Sequence, residues 1–381
     1  MKVVMEEGIN GEHLERVVAT IEQYHAKASV DKGERITLVG VIARDPSPEL
    51  YDRLQNLPGV KEVIRISSPH KEVKQVGQPG NFFYTQVHLG IGGNVVVGGK
   101  DLTIIAGPCS LENKAQIEDA ASIVSDYGGN ALRCGVKKWR TNWRDSHGPG
   151  YDDLKGSLDL VVEAGHKRDL PVVIEILGVN DIDDYVQAGV DCLQVGATNS
   201  ENQELLYALA STKIPILYKR GKGQKLTDYF IWATKLMKEG KNDIILCERG
   251  VNGLNDIVRN TADHAALSVM RYMESRLPAV FDPSHSSKYR DLVVPQSLAA
   301  VAAGAQGLIV EMHPNPHVAA TDGTQTLYPE QFKLLVEAAN AQWSLIKKYE
   351  PNYYFTRQLE HKYAENIDRD RERYAPLNRN Q

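Results

Sequence analysis

Cysteine is scarce in this chain. Cys109, Cys134, Cys192 and Cys247 are the four among 381 residues, and no two form a Cys-x-x-Cys pair. That spacing excludes a disulfide framework and a zinc site built from paired thiols, and it fits reduced thiols in a protein expected in the cytoplasm. Long apolar runs are missing too: nothing approaches the ~18 uninterrupted apolar residues of a membrane helix. The opening Met-Lys-Val-Val-Met-Glu-Glu has no apolar core of the kind that directs export. Nor is there an excess of positive charge. With 44 Lys and Arg against 49 Asp and Glu, the net charge of −5 argues against a general nucleic-acid binder, although a local basic pocket remains open. A glycine-rich dinucleotide turn is also lacking, since Gly-Lys-Gly at 221–223 is too short to serve as one.

What is present describes an ordinary globular protein, 42% hydrophobic and 24% charged, long enough for one large domain and a small one. Residues 1–66 read as a βαββαβ unit of the ferredoxin-like kind. Strands are expected at 3–5, 27–30, 36–42 and 60–66. Leu14, Val17, Val18 and Ile21 mark one helix and Leu50, Leu54 and Leu57 a shorter one. Residues 67–100 form a linker with a hairpin around Gly92-Gly93 that could plug the base of the larger domain. From 101 to 348 strand and helix alternate eight times, with strands expected at 102–106, 131–136, 171–176, 192–195, 214–217, 244–247, 279–282 and 307–311. Eight such units in about 250 residues predict a (β/α)8 TIM barrel, whose active residues gather at the C-terminal strand ends. A doubly wound sheet is the alternative. Residues 349–381, aromatic and then charge-dense, read as an exposed extension.

Polar residues do gather at those strand ends. Cys109, His285 and Glu311 lie at or just past three of the runs, and Asp322 comes in the loop after the last. A thiolate, an imidazole and two carboxylates suit one borderline divalent ion, such as Mn, Fe, Co or Zn, better than a closed structural zinc. Each alone has a plainer reading, the histidine as a loop residue and the cysteine as an inert buried thiol, which is the reading for Cys134, Cys192 and Cys247. A second set is cationic: Arg133, Lys138 and Arg140 with Thr141, then Lys219, Arg220 and Arg249. Aimed into one barrel mouth, these repel unless an anion or matching carboxylates sit among them. Glu175 and Glu248 supply only part of such a match, which favours a phosphate or carboxylate pocket.

The flanks of these residues are Ala-Gly-Pro-Cys-Ser around Cys109, Lys-x-Arg-Thr at 138–141 and Tyr-Lys-Arg-Gly at 218–221. They continue with Ile-Leu-Cys-Glu-Arg-Gly at 245–250, Asp-Pro-Ser-His-Ser at 282–286, and Glu-x-His-Pro followed by Asp-Gly-x-Gln at 311–325. Over residues 1 to about 348 the chain resembles the 3-deoxy-D-arabino-heptulosonate 7-phosphate (DAHP) synthases, in the short microbial subtype with a ferredoxin-like arm. The resemblance implies metal-dependent condensation of phosphoenolpyruvate with erythrose 4-phosphate, the entry step of the shikimate pathway, by a homotetramer. It implies that Cys109, His285, Glu311 and Asp322 are metal ligands and that Arg133, Lys138, Lys219 and Arg249 hold phosphoenolpyruvate. Arg140 and Thr141 would hold the aldose phosphate, and Lys138 is also placed for a proton relay.

Three departures stand against that pattern. Thr198 follows Gly196-Ala197 where the family has arginine, a loss worth roughly 1.5–3 kcal/mol of binding. The loop reads Lys138-Trp139-Arg140-Thr141-Asn142-Trp143, with indoles where the family has prolines. Arg144 and His147 stand where it has uncharged residues, and Cys134 replaces a glycine. Arg144 could supply the missing cation; a paralogue acting on a different aldehyde, or a non-catalytic protein, is the alternative. The arm could be a regulatory ligand sensor, with an oligomer-stabilising arm as the competing role; it offers Ser29 and Asp31 where aromatic-sensing relatives carry His and Ser, which argues against feedback by an aromatic amino acid.

Overall fold

The computed structural model describes residues 1–6, 8–9, 11–32, 37–43, 47–64, 70, 72–74, 76–78, 81–138 and 148–349. The chain divides into two compact units, Met1–Lys71 and Glu72–Gln381. The charged extension expected at 349–381 lies outside the described residues beyond Tyr349.

The first unit runs β1 (Lys2–Met5), α1 (Gly11–Gln23), β2 (Lys27–Lys32), β3 (Thr37–Ile42), α2 (Pro48–Gln55) and β4 (Val60–Ile64). Its strands pair antiparallel in the order β2-β3-β1-β4, the ferredoxin-like arrangement. The helical spacing read from the sequence points the right way: Val17 and Ile21 of α1 and Leu50 and Leu54 of α2 are buried with Val3, Met5 and Val39 of the sheet. Ser47 starts α2 by accepting from the Leu50 N–H at 3.1 Å, with Pro48 at the first helical position, where no N–H is needed.

The second unit opens with two small ladders, β5 (Val76–Gln78) with β6 (Asn81–Phe83) and β7 (Val87–Leu89) with β8 (Val95–Val97). The second of these is the expected hairpin. The first was not expected, although Pro79-Gly80 is a turn signal. Eight parallel strands then close into a barrel in sequence order: β9 (Thr103–Gly107), β10 (Ala131–Cys134), β11 (Val172–Ile176), β12 (Cys192–Val195), β13 (Ile216–Lys219), β14 (Ile244–Glu248), β15 (Ala279–Phe281) and β16 (Gly307–Glu311). Around them run α3 (Lys114–Asp126), α4 (Leu154–His166), α5 (Ile182–Ala188), α6 (Gln203–Ala210), α7 (Leu226–Lys238), α8 (His264–Val269), α9 (Pro283–Ser287), α10 (Arg290–Ala302) and α11 (Pro329–Tyr349).

Proline explains two of the strand starts that moved, those of β11 and β13. Pro171, Pro215 and Pro278 lie just before β11, β13 and β15 and lack the N–H a ladder requires. Each still offers its carbonyl to a neighbour: Leu132 N–H donates to Pro171 at 2.9 Å, Leu193 to Pro215 at 2.9 Å and Leu246 to Pro278 at 2.8 Å. The fifth strand therefore starts at 216 rather than 214. Pro295 lies inside α10. Asp291, whose carbonyl that proline leaves without a donor, is exposed, so water can serve it.

The barrel interior obeys the two-residue period of a strand. Ile105, Ala131, Val173, Leu217, Ile245 and Ile309 point inward and pack with Val87, Leu89 and Val97 of the β7–β8 hairpin, which closes the N-terminal end. Leu132, Ile174, Ile216 and Leu308, one residue along, face the helices instead. Leu89 is 1% exposed at the centre of this plug. Leu89→Ala is expected to cost about 2–5 kcal/mol in urea unfolding; a loss below about 1 kcal/mol would mean that the hairpin does not carry the base of the barrel.

Candidate active site

Continuing four of these inward positions by two residues reaches charged side chains at the C-terminal rim. Ala131 is followed by Arg133, Val173 by Glu175, Leu217 by Lys219, and Ile309 by Glu311, so the apolar interior is roofed by a charged layer. Cys134 takes the opposite parity. It faces the helix layer, where burial pushes its thiol up to about 12, and it does not reach the mouth.

At the end of β9 the backbone of Gly107 has φ 150°, and a Cβ there would lie 2.2 Å from the Arg133 carbonyl. That tight pass brings the chain round through Pro108 to Cys109, whose Sγ donates to Asp322 Oδ2 at 3.1 Å. Cys109, Glu311 and Asp322 each offer one ligand atom, and these atoms lie within 4.8 Å of one another. His285 is not in that tight group but touches it, with Nε2 3.5 Å from Glu311 Oε1. Its orientation comes from Asp282, which caps α9. Oδ1 accepts the His285 N–H at 3.0 Å, and Oδ2 lies 2.7 Å from Nδ1. An Nδ1–H donated to that carboxylate leaves the Nε2 lone pair toward Glu311.

The donor chemistry fits a divalent cation. Burial, followed by the charge of Glu311, pushes the Cys109 thiol far up, so without a cation it stays protonated beside two carboxylates. Burial also lowers His285 despite Asp282, which favours the neutral imidazole that a metal takes. Burial alone would raise Glu311, but His285, Arg133 and a hydrogen bond from Gln325 at 2.7 Å hold it low and ionised.

The cations are better matched than the sequence suggested. Arg133 Nη1 donates to Glu311 Oε1 at 3.0 Å, and Lys138 Nζ to Glu175 Oε2 at 3.0 Å. Lys219 Nζ donates to Asp282 Oδ2 at 2.5 Å, and Arg220 Nη1 to Glu248 at 2.8 Å and Asp263 at 2.9 Å. The expected shortage of carboxylates is thus corrected: Asp282 and Asp263 were missed, and Glu311 serves a guanidinium as well as the ligand group. An aspartate opening Asp-Pro-Ser-His is an N-cap signal that could have singled out Asp282. Two donors remain over. Arg133 Nε and Arg249 Nη1 are buried without a hydrogen-bond partner among the described residues, and an anion in the mouth would satisfy both.

Lys138 fits only because position 135 is glycine; a Cβ there would lie 2.3 Å from Lys138 Cε. Burial would lower its pKa, but the charge and hydrogen bond of Glu175 work against that and keep it protonated. Thr198 lies exposed just past β12. Trp139, Arg140, Thr141, Trp143, Arg144 and His147 lie outside the described residues, so the aldose-phosphate motif and the expected substitute cation have no place in this geometry.

Residues 76–348 match the DAHP synthetase I family, and residues 1–68 match the DAHP synthase ferredoxin-like domain. The chain is 38% identical over 337 residues to a phospho-2-dehydro-3-deoxyheptonate aldolase of Thermotoga maritima, spanning 88% of this chain and 96% of that protein. A 2-dehydro-3-deoxyphosphooctonate aldolase of Desulfotalea psychrophila is 29% identical over 267 residues, 64% of this chain and 91% of its own length. The crystal structure of the DAHP synthase of Thermotoga maritima is similar with a TM-score of 0.67 at 35% identity, covering 92% of this chain and 97% of that one. A truncated form from the same organism gives 0.62 at 36% identity over 70% of this chain and 94% of its own.

Proposed function

The chain belongs to the DAHP synthetase I family, and from that premise we propose how its barrel mouth condenses phosphoenolpyruvate with erythrose 4-phosphate, the first step of the shikimate pathway. Carbon 3 of the enol phosphate bonds to the aldehyde carbon, water adds at carbon 2, and the bond from carbon 2 to the phosphate oxygen breaks, giving DAHP and phosphate. Cys109, His285, Glu311 and Asp322 would hold one divalent ion, with Mn, Fe, Co and Zn all suited to so mixed a ligand set. When bound, that ion supplies Lewis acidity at an aldehyde oxygen.

The remaining work belongs to the side chains. Two polyanionic substrates repel one another and must be held by cations already in place. Arg133, Lys138, Lys219 and Arg249 take phosphoenolpyruvate, and Nε of Arg133 and Nη1 of Arg249, unpartnered among the described residues, are its readiest donors. The carboxylates paired with these cations keep them extended into the mouth before substrate arrives. Arg140 and Thr141 take the phosphate of the aldose, and Arg144 supplies the charge that Thr198 lacks. Lys138, protonated beside Glu175, acts as a fixed cation and a proton source rather than as a base. A homotetramer and a cytoplasmic location belong to the same proposal, and no described helix is long and apolar enough to cross a membrane.

One observation carries this reading: three ligand atoms within 4.8 Å of one another, beside two buried guanidinium N–H groups without partners among the described residues. Phosphate release from the two substrates is expected to fall by about 100-fold or more after dialysis against a chelator and to return with Mn(II). An undiminished rate in the chelated protein would remove the metal from the mechanism.

A further inference from the structure

Asp322 reaches Cys109 from a loop, with no strand to hold it. Its backbone lies at φ 51°, a region that residues other than glycine rarely enter unless their surroundings keep them there. On the C-terminal side, Arg290 at the start of α10 grips the carbonyls of Gly323 and Thr326. On the N-terminal side the grip comes from the segment that carries Cys109. Ser110 Oγ meets Thr321 Oγ1 at 2.9 Å, and Glu112 Oε1 accepts the Ala320 N–H at 2.8 Å.

The same Glu112 oxygen lies 3.4 Å from His313 Nε2, a close contact without the alignment of a hydrogen bond. His313 follows Glu311 by two residues, Ala320 precedes Asp322 by two, and Glu112 follows Cys109 by three. One carboxylate thus stands where the three segments bearing the tight ligand group meet. Its own base is fixed, because Gln116 accepts the Glu112 N–H at 3.3 Å and donates to the Ser110 carbonyl at 3.1 Å.

We propose that Glu112 is a positioning residue that sets how closely Asp322 approaches Cys109, and thereby the affinity of the site for a divalent cation, without being a ligand itself. This rests on the metal reading of the site. The carboxylate acts through backbone: by holding the Ala320 N–H it limits the travel of the Asp322 loop, so that the ligand group is gathered before the ion arrives. Residues that hold metal ligands from behind commonly change affinity by about 10–100-fold when removed.

The test is Mn(II) titration of the full chain, by competition with a chelating dye, for the wild type, Glu112→Ala and Glu112→Gln. Glu112→Ala is expected to raise the Mn(II) dissociation constant about tenfold or more, with an unchanged thermal midpoint in the absence of metal. Glu112→Gln keeps an oxygen acceptor for the Ala320 N–H and is expected to stay within about threefold of wild type. Wild-type affinity in Glu112→Ala overturns the proposal, as does an equal loss in both variants, which would assign the effect to charge rather than reach. A wild-type chain that takes up no Mn(II) condemns the metal reading instead. If Glu112→Ala does not fold, Glu112→Asp decides: its carboxylate, drawn back by one methylene from the Ala320 N–H, is expected to weaken Mn(II) binding, and wild-type binding overturns the proposal.

Discussion

Cys109→Ala is expected to leave a folded protein that forms product about a thousandfold more slowly, the several kcal/mol that Lewis-acid charge stabilisation contributes to a barrier. The side chain is 5% exposed and small, so its removal opens little space. Among the described residues its Sγ hydrogen-bonds to Asp322 only, and Asp322 keeps Arg259, whose Nη1 lies 3.6 Å from Oδ1. Stability should therefore change by no more than about 1 kcal/mol. The separation of the two effects is what makes the variant informative. Steady-state rates across a range of Mn(II), read beside urea unfolding, would show it. Wild-type turnover at low metal in the alanine variant would leave the thiol outside the chemistry and undo the proposed centre.

Asp282→Asn is expected to damage both halves of the site at once. The carboxylate is 1% exposed and holds Lys219 through Oδ2 while Oδ1 and Oδ2 both engage His285. Burial would raise its pKa, but His285 and Lys219 overcome that and keep it ionised. Taking away the charge strands the Lys219 ammonium in a site where its side chain is 4% exposed, and breaking one partner of such a buried pair costs about 3–5 kcal/mol. The amide NH2 also faces Nδ1 as a donor, which favours the tautomer with its proton on Nε2, where the metal should sit. Mn(II) affinity should fall about 10–100-fold. Denaturant unfolding of the metal-free protein reads the first effect and metal titration the second. A variant as stable as wild type with unchanged Mn(II) affinity would mean that Asp282 is a helix cap only.

Both predictions turn on residues whose importance was legible to different degrees. Cys109 could be picked out in one dimension, because a glycine-proline turn after a β-branched run places the next side chain at a strand end. Asp282 stands in a motif that was noted for its histidine, and its bond to Lys219 spans 63 residues. Glu112 carries no sequence signal beyond its nearness to Cys109. The eight barrel strands were legible because each is an apolar run between polar punctuation. Most of their starts were too; those of β11 and β13 moved by one and two residues because Pro171 and Pro215 have no N–H for the ladder. The β5–β6 ladder was missed because three residues are too few to show a period.

By itself the sequence determined the strand–helix alternation, the inward parity that carries Arg133, Glu175, Lys219 and Glu311 to one rim, and the kinds of donor available there. Those are local properties, governed by backbone geometry within a few residues. Only the tertiary structure decided which charge faces which: Arg133 against Glu311 across 178 residues, and Cys109 against Asp322 across 213. Closure of the barrel brings the first and last strands side by side, and no local preference encodes which side chains then come into reach.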